Sequence, residues 1–206
     1  MRRIRSCFMG GMNRVIQSPL KQPMARQAGY NVVELMFVMG IMGVLMAIAV
    51  VQIGSSRSGL NGDGAMRVVL AQMNQAREQA ITQRRNMRLT FTGGSLVSII
   101  REEVPGPVLT TISSVSFEGR LQFVTVAGLP DTPDAFGNSS AVAFGASTEK
   151  KFAPDGTFVD QDGITLNGTV FVALPNDKQS ARAVTIFGST GRVRGFRWDG
   201  GSWKPV

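Results

Sequence analysis

The pattern of apolar and polar positions changes character along the chain. Residues 35–51 are 17 consecutive apolar residues or glycines, apolar on every side rather than along one stripe. Taken from residue 30 to residue 53 the run has 24 residues, about 36 Å of helix at about 1.5 Å per residue, which is enough to cross a bilayer. Next, residues 65–88, "AMRVVLAQMNQAREQAITQRRNMR", place Met66, Val69, Leu70, Met73, Ala76, Ala80 and Ile81 on one stripe with Gln and Arg opposite. That spacing predicts an amphipathic helix packed on a sheet, with its methionines in the core rather than ligating anything. Between the two patterns lies "GSSRSGLNGDG", residues 54–64. Each glycine there weakens a helix by about 1 kcal/mol relative to alanine, so this stretch is expected to be the flexible point.

Past residue 87 the period falls to that of strands. The runs are "MRLTF", a Gly93-Gly94 turn and "LVSII"; "ITL", Asn167-Gly168 and "TVFVAL"; then "AVTIF", "RVRGFRW", Asp199-Gly200-Gly201 and "SW". Turn residues between short β-rich runs predict antiparallel hairpins. The middle, "VAGLPDTPDAFGNSSAVAFG", is rich in Gly, Pro and Ser and predicts a loop insertion. The expected architecture is α+β: one long N-terminal helix, with a transmembrane half and an amphipathic half, packed on an antiparallel β-sheet.

Charge and composition narrow the chemistry. The net charge is +8, yet residues 1–29 hold six bases and no acid, leaving 16 bases against 14 acids in the rest. The basic balance is therefore mostly a property of the N-terminal segment and does not by itself argue for nucleic acid. The one cysteine, Cys7, cannot form an intrachain disulfide, and no histidine is present. Serine–histidine and cysteine–histidine nucleophilic sites and the usual zinc sites are excluded. What is left for an enzyme is paired carboxylates or a lysine, and no pair stands out. The acids of "PDGTFVDQDG", Asp155, Asp160 and Asp162, do not follow the spacing of a calcium-binding EF-hand loop and read as turn residues. No cofactor or metal is implied.

One acid interrupts the apolar run at its start. Glu34 in "RQAGYNVVELMFVMG" costs roughly 2.5 to 3.5 kcal/mol if placed at a bilayer centre, and less near the interface. In the first turn of a helix the macrodipole favours it. A cleavable secretory signal, with Ala47-Ile48-Ala49 as its small-residue site, would need a shorter apolar core. A plain single-pass anchor fits the length and leaves Glu34 unexplained; the positive-inside rule keeps the basic segment cytoplasmic.

Gly29, Tyr30 and Glu34 in "AGYNVVEL" resemble the processing signal of type IV prepilins: a basic leader ending in Gly, an aromatic first mature residue and an acid as the fifth. The helix "LAQMNQAREQAITQRRNMRLTF", the stretch "FAPDGTFVD" and the segment "AVTIFGSTGRVRGFRW" resemble the GspH/FimT group of minor pilins and pseudopilins. The resemblance implies cleavage between Gly29 and Tyr30 by a prepilin peptidase, methylation of the new amine of Tyr30, and no enzymatic activity of the chain's own. It implies a cleaved leader over 1–29, a transmembrane and assembly helix over 30–53, the flexible point over 54–64, and an extracytoplasmic globular domain over 65–206. A leader of 29 residues is long for the family, and a start at Met24 would give the short "MARQAG". The kinking proline of many major pilins is absent between Pro23 and Pro105. The implied place is the inner membrane, single-pass, with the globular domain in the periplasm. The implied partners are the peptidase and other pilins, in a type II secretion pseudopilus or a type IV pilus. There Glu34 would meet the N-terminal amine of a neighbouring subunit, an attraction of about 4 kcal/mol at about 4 Å and an effective dielectric near 20, before desolvation.

After the apolar run, charge is segregated. Residues 57–88 hold six bases and two acids, residues 89–181 five and ten, residues 182–206 five and one. In "GRVRGFRWDGGSWK", Arg192 and Arg194 are two apart and share a strand face, with Arg197, Lys204, Trp198 and Trp203 nearby. Arginines grip phosphates and aromatic faces stack bases, so DNA is a candidate partner. The resemblance points the same way, since some competence-linked minor pilins of this group are thought to bind DNA through a Gly-Arg-x-Arg segment. The alternative is a solvated strand edge whose charges discourage aggregation, with the tryptophans in the core.

Overall fold

The computed structural model describes residues 31–106 and 108–206, without the side chains of residues 51–57. The chain divides between Val44 and Leu45 into two units. In the first, helix α1 (Val32–Gln83, 52 residues) begins. Asn31 caps it, its Oδ1 accepting from Val33 N at 3.2 Å, and Glu34 sits in its first turn. The large apolar side chains of α1 up to Val50 are 46–71 % exposed. The stretch Val32–Val50 is long and apolar enough to cross a membrane.

Among the described residues the second unit holds the rest of α1 and eleven strands. In one sheet these are β1 (Met87–Thr92), β2 (Leu96–Glu102), β3 (Leu109–Ser116), β6 (Lys151–Phe152) and β7 (Phe158–Val159), in the order β3-β2-β1-β6-β7. The other contains β4 (Gln122–Phe123), β8 (Gly168–Ala173), β9 (Arg182–Phe187), β10 (Arg192–Trp198) and β11 (Trp203–Pro205), in the order β11-β10-β9-β8-β4. Strand β5 (Val142–Ala143) also pairs with β8, and a 3-10 turn spans Lys178–Ser180. All named pairings are antiparallel. The fold is therefore α+β as expected, with two sheets where one was foreseen.

Two sheets arise because β8 and β9 are buried on both faces. Every residue of β8 is buried, as are five of the six in β9. Val170, Val172, Val184 and Ile186 join the main core with Met66, Val69, Met73, Ala76 and Ala80 of α1 and Met87, Leu89, Val97 and Ile99 of the first sheet. Phe171, Ala173 and Ala183, on the alternate face, join Phe196, Trp198 and Trp203 in a second cluster. The predicted helical stripe is thus core except at its end, where Ile81 is 45 % exposed. The run "ITL" is no strand, only a bridge from Thr165 to Val159. Strand β3 went unforeseen because "LTTISSVS" lacks strict alternation, and its half-exposed pattern reflects an edge position.

The glycine-rich stretch 54–64 lies inside α1. Two of its glycines bring the helix close to the second sheet. A Cβ on Gly62 would stand 2.3 Å from the Ser180 carbonyl oxygen, and one on Gly59 3.7 Å from Arg182 Nη2; Gly64 has nothing within 4 Å. Close approach compensates the poor helix propensity at Gly62. Gly62→Ala should therefore lower stability by about 1–3 kcal/mol, while Gly64→Ala should raise it by up to about 1 kcal/mol. Chemical denaturation of the two variants checks this, and equal effects would refute the close-approach account.

Candidate functional site

Two regions carry the residues singled out from the sequence. At the N-terminal one, Gly29 and Tyr30 lie outside the described residues. Glu34 is exposed in the first turn of α1, and its carboxylate has no partner among the described residues. Around it Val33, Leu35, Met36, Phe37 and Val38 are all exposed. An anion here gains from the unsatisfied N–H groups of the first turn but has no countercharge among the described residues.

The C-terminal region is built on β10 and β11. Strand alternation sends Arg192, Arg194, Phe196 and Trp198 to one face and Val193, Gly195 and Arg197 to the other. Gly195 marks the helix side, since a Cβ there would be 3.1 Å from Leu70 and Met66 atoms. Arg197 pairs in register with Lys204, so those two share the helix-side face. The four bases therefore divide two and two.

On the opposite face the middle loop lies over the sheet. Asp134, whose side chain is 7 % exposed, accepts from Arg194 Nη1 at 2.9 Å and from Thr185 Oγ1 at 2.6 Å. The Arg194 guanidinium also stands 5.9 Å from the Phe187 ring centre and 6.0 Å from that of Phe196. Phe136 packs edge-on against Phe187, and Trp203 Nε1 donates to Pro130 O at 2.9 Å. Both tryptophans are buried. Arg194 is thus committed to holding the loop, a role the sequence hides because its partner lies 60 residues away.

Arg192 is exposed and lines a cleft of about 530 Å³ with Asn74, Arg77, Thr190 and Gly191. The Arg77 guanidinium donates to Gly156 O and Thr190 O at 3.3 and 3.0 Å. Lys204 Nζ stands 3.7 Å from Asp199 Oδ2. Hydrogen bonds from Gly201 N and Ser202 N hold the Asp199 carboxyl below its usual range. Of the acids weighed for calcium, Asp155 and Asp160 brace turns and Asp162 accepts from the Gln161 side-chain amide. Asp155 accepts from Thr157 N and Oγ1, and Asp160 Oδ1 from Asp162 N and Ile164 N. Among the described residues no group of three or more metal-ligating side chains converges.

Arg194→Ala strands a buried carboxylate and should cost about 1–3 kcal/mol, discounted for the partial exposure of the arginine. Arg192→Ala should stay within about 0.5 kcal/mol of the parent. Urea titration of both variants checks this; equal stabilities would mean that the Asp134 pair holds nothing.

No protein family's pattern matches the chain, and no curated protein does. Among solved structures it is similar to the type IV minor pilin FimU of Pseudomonas aeruginosa strain PAO1. The identity is 17 % and the TM-score 0.45, over 69 % of this chain and 91 % of that one.

Proposed function

We propose that the chain is a minor pilin or pseudopilin, a structural subunit of a type IV pilus or type II secretion pseudopilus rather than an enzyme. The observation that carries this reading is Glu34: a lone acid in the first turn of a helix whose next turns expose apolar side chains on every side. A helix apolar all round needs a lipid or protein surround. A carboxylate at its head needs a cation that this surround does not otherwise supply. Cleavage between Gly29 and Tyr30 provides one, the methylated amine of Tyr30 on a neighbouring subunit. The helix anchors the chain in the inner membrane with the globular domain in the periplasm, where filament partners take it up.

Intact-mass measurement of chain extracted from membranes should give a species starting at Tyr30, 14 Da heavier than the unmethylated form, and any other start would sink the proposal. In the same cells Glu34→Ala should insert in the membrane and be processed, yet reach filaments poorly. Normal incorporation would show that no charge pairing operates.

DNA uptake is the second reading, favoured by the exposed Arg192 beside Arg77 in one cleft. With two phosphate contacts, binding should fall with salt at a log–log slope near −1.8. It should weaken in Arg192→Ala, a change that leaves the Asp134 pair intact. Fluorescence titration with labelled duplex at two salt concentrations measures it, and a parent without salt-sensitive binding removes this reading.

A further inference from the structure

The turn that covers the second sheet is seated on it in the manner of a ligand. Thr169 stands opposite Thr185 in register, and Thr185 opposite Arg194, so the three form a row across β8, β9 and β10 on one face, neighbours being about 5 Å apart. Arg194 Nη1 donates to Asp134 Oδ1 at 2.9 Å, and Thr185 Oγ1 to Asp134 Oδ2 at 2.6 Å. Thr169 is fully buried in the same row, and its hydroxyl has no hydrogen-bond partner among the described residues. Phe187 follows Thr185 by two residues and shares its face. The ring of Phe136 meets it edge-on at 4.9 Å, and the Arg194 guanidinium lies 5.9 Å from its centre. A carboxylate thus fills a cradle of one guanidinium and one hydroxyl, leaves a second hydroxyl idle, and has an aromatic ring beside it.

The turn takes this place at a cost. Ala135, between the two contacting residues, has φ +56°, a left-handed conformation disfavoured for any residue with a Cβ. Thr132 is 3 % exposed, and its hydroxyl is also without a partner among the described residues. The turn nevertheless holds its own shape. Asp131 accepts from Thr132 N at 2.7 Å and Gly137 N at 2.8 Å, and Ala135 N donates to Thr132 O at 2.9 Å. It is therefore able to leave the sheet as a unit, from a base at Pro130 whose carbonyl accepts from Trp203 Nε1.

We propose that Asp134 and Phe136 occupy a binding site for single-stranded nucleic acid, the carboxylate in the place of a phosphate and the ring in the place of a base. A phosphate presents its oxygens in a tetrahedral array, so it reaches Thr169 Oγ1 as well as Thr185 and Arg194. It satisfies the hydroxyl that the flat carboxylate leaves idle. An unpaired base offers its face to Phe187, which a base stacked inside a duplex does not. The exposed Arg192, about 7 Å from Arg194 on the same strand face, takes a neighbouring phosphate. The turn competes with the strand for Arg194, so the site stays closed until the ligand displaces it. The inference rests on the nucleic-acid reading above and narrows its ligand.

Fluorescence anisotropy of the full chain in nonionic detergent micelles, with labelled oligothymidylate as the probe, tests it beside Asp134→Asn, Thr169→Val and Asp162→Asn. Thermal melting verifies that each variant folds. Asp134→Asn keeps the shape of the turn and removes its charge, so strand affinity should rise by about tenfold. Asp162→Asn removes an equal charge from an exposed turn and should change affinity by less than about twofold. Thr169→Val removes a hydroxyl that the closed form does not use, so its melting temperature should not fall while its affinity drops by about tenfold. Labelled duplex should share none of the gain in Asp134→Asn. Salt-sensitive binding by the parent that neither Asp134→Asn nor Thr169→Val alters overturns this proposal and leaves the nucleic-acid reading standing. A gain matched by Asp162→Asn, or shared by duplex, overturns it as well. Absence of binding by every variant and the parent removes both readings.

Discussion

The placement of the helix on the sheets depends on one buried guanidinium. Arg182, at the head of β9, is 2 % exposed, and its side chain makes four hydrogen bonds: to Asp63 Oδ1, Gly59 O, Gln179 O and Ala181 O. Removing a full charge from water is tolerable only when a countercharge and acceptors surround it. Those acceptors come from α1, from the 3-10 turn and from the strand's own start, so the bonds cannot all form unless the three are in place. That requirement explains the glycine at position 62, where the helix comes against the Ser180 carbonyl. Once residue 63 is fixed, helical spacing carries Met66, Val69, Met73, Ala76 and Ala80 onto the sheets in turn.

A second polar contact plays a comparable part on the far side of the second sheet. Sheet faces with Phe171, Ala183, Phe196 and Trp198 need a cover, and a loop rich in Gly, Pro and Ser is a poor source of apolar area. The loop contributes Val126, Leu129 and the Phe136 ring against Phe187, and is also held by polar bonds, Asp134 to Arg194 and Thr185, and Trp203 to Pro130. Thr169, opposite Thr185 in register, is buried with its hydroxyl unpartnered, which costs about 1–3 kcal/mol. The ion pair offsets part of that cost.

What could be read from the chain follows the range of the interactions. Helical spacing and strand alternation are local, so β1, β2, β8, β9 and β10 emerged with bounds close to those observed, and both halves of α1 were seen, though as two stretches around 54–64 and with the second carried to residue 88 rather than Gln83. The division into two sheets did not, because a continuous apolar run such as "TVFVA" says that a strand is covered on both faces without saying by what. Arg182 and Asp134 escaped for the same reason. Each looks like an ordinary surface charge in its own neighbourhood, and its charged partner lies 119 positions away for Arg182 and 60 for Asp134. The stretch "GLNGDG" was legible as unusual for a helix, but propensity alone cannot distinguish a break from a close approach. Of the arginines in "GRVRGFR", position in the strand gave the shared face of Arg192 and Arg194, whereas only the fold shows that one is exposed and the other spoken for.

The two halves of α1 place opposite demands on their surroundings. Between residues 65 and 80 one face is apolar, and the chain's own sheets cover it. Between Val32 and Val50 every face is apolar, and no described residue covers any of them. No packing of a single face resolves that; lipid or other chains would supply such a cover. Lipid suffices for the valines, leucines and methionines, but it offers nothing to Glu34, whose charge it penalises. A neighbouring chain can supply both an apolar surround and a cation at one level of the helix. In the assembly proposed above, a bundle of such helices would remove the apolar area from water and answer the carboxylate in the same step.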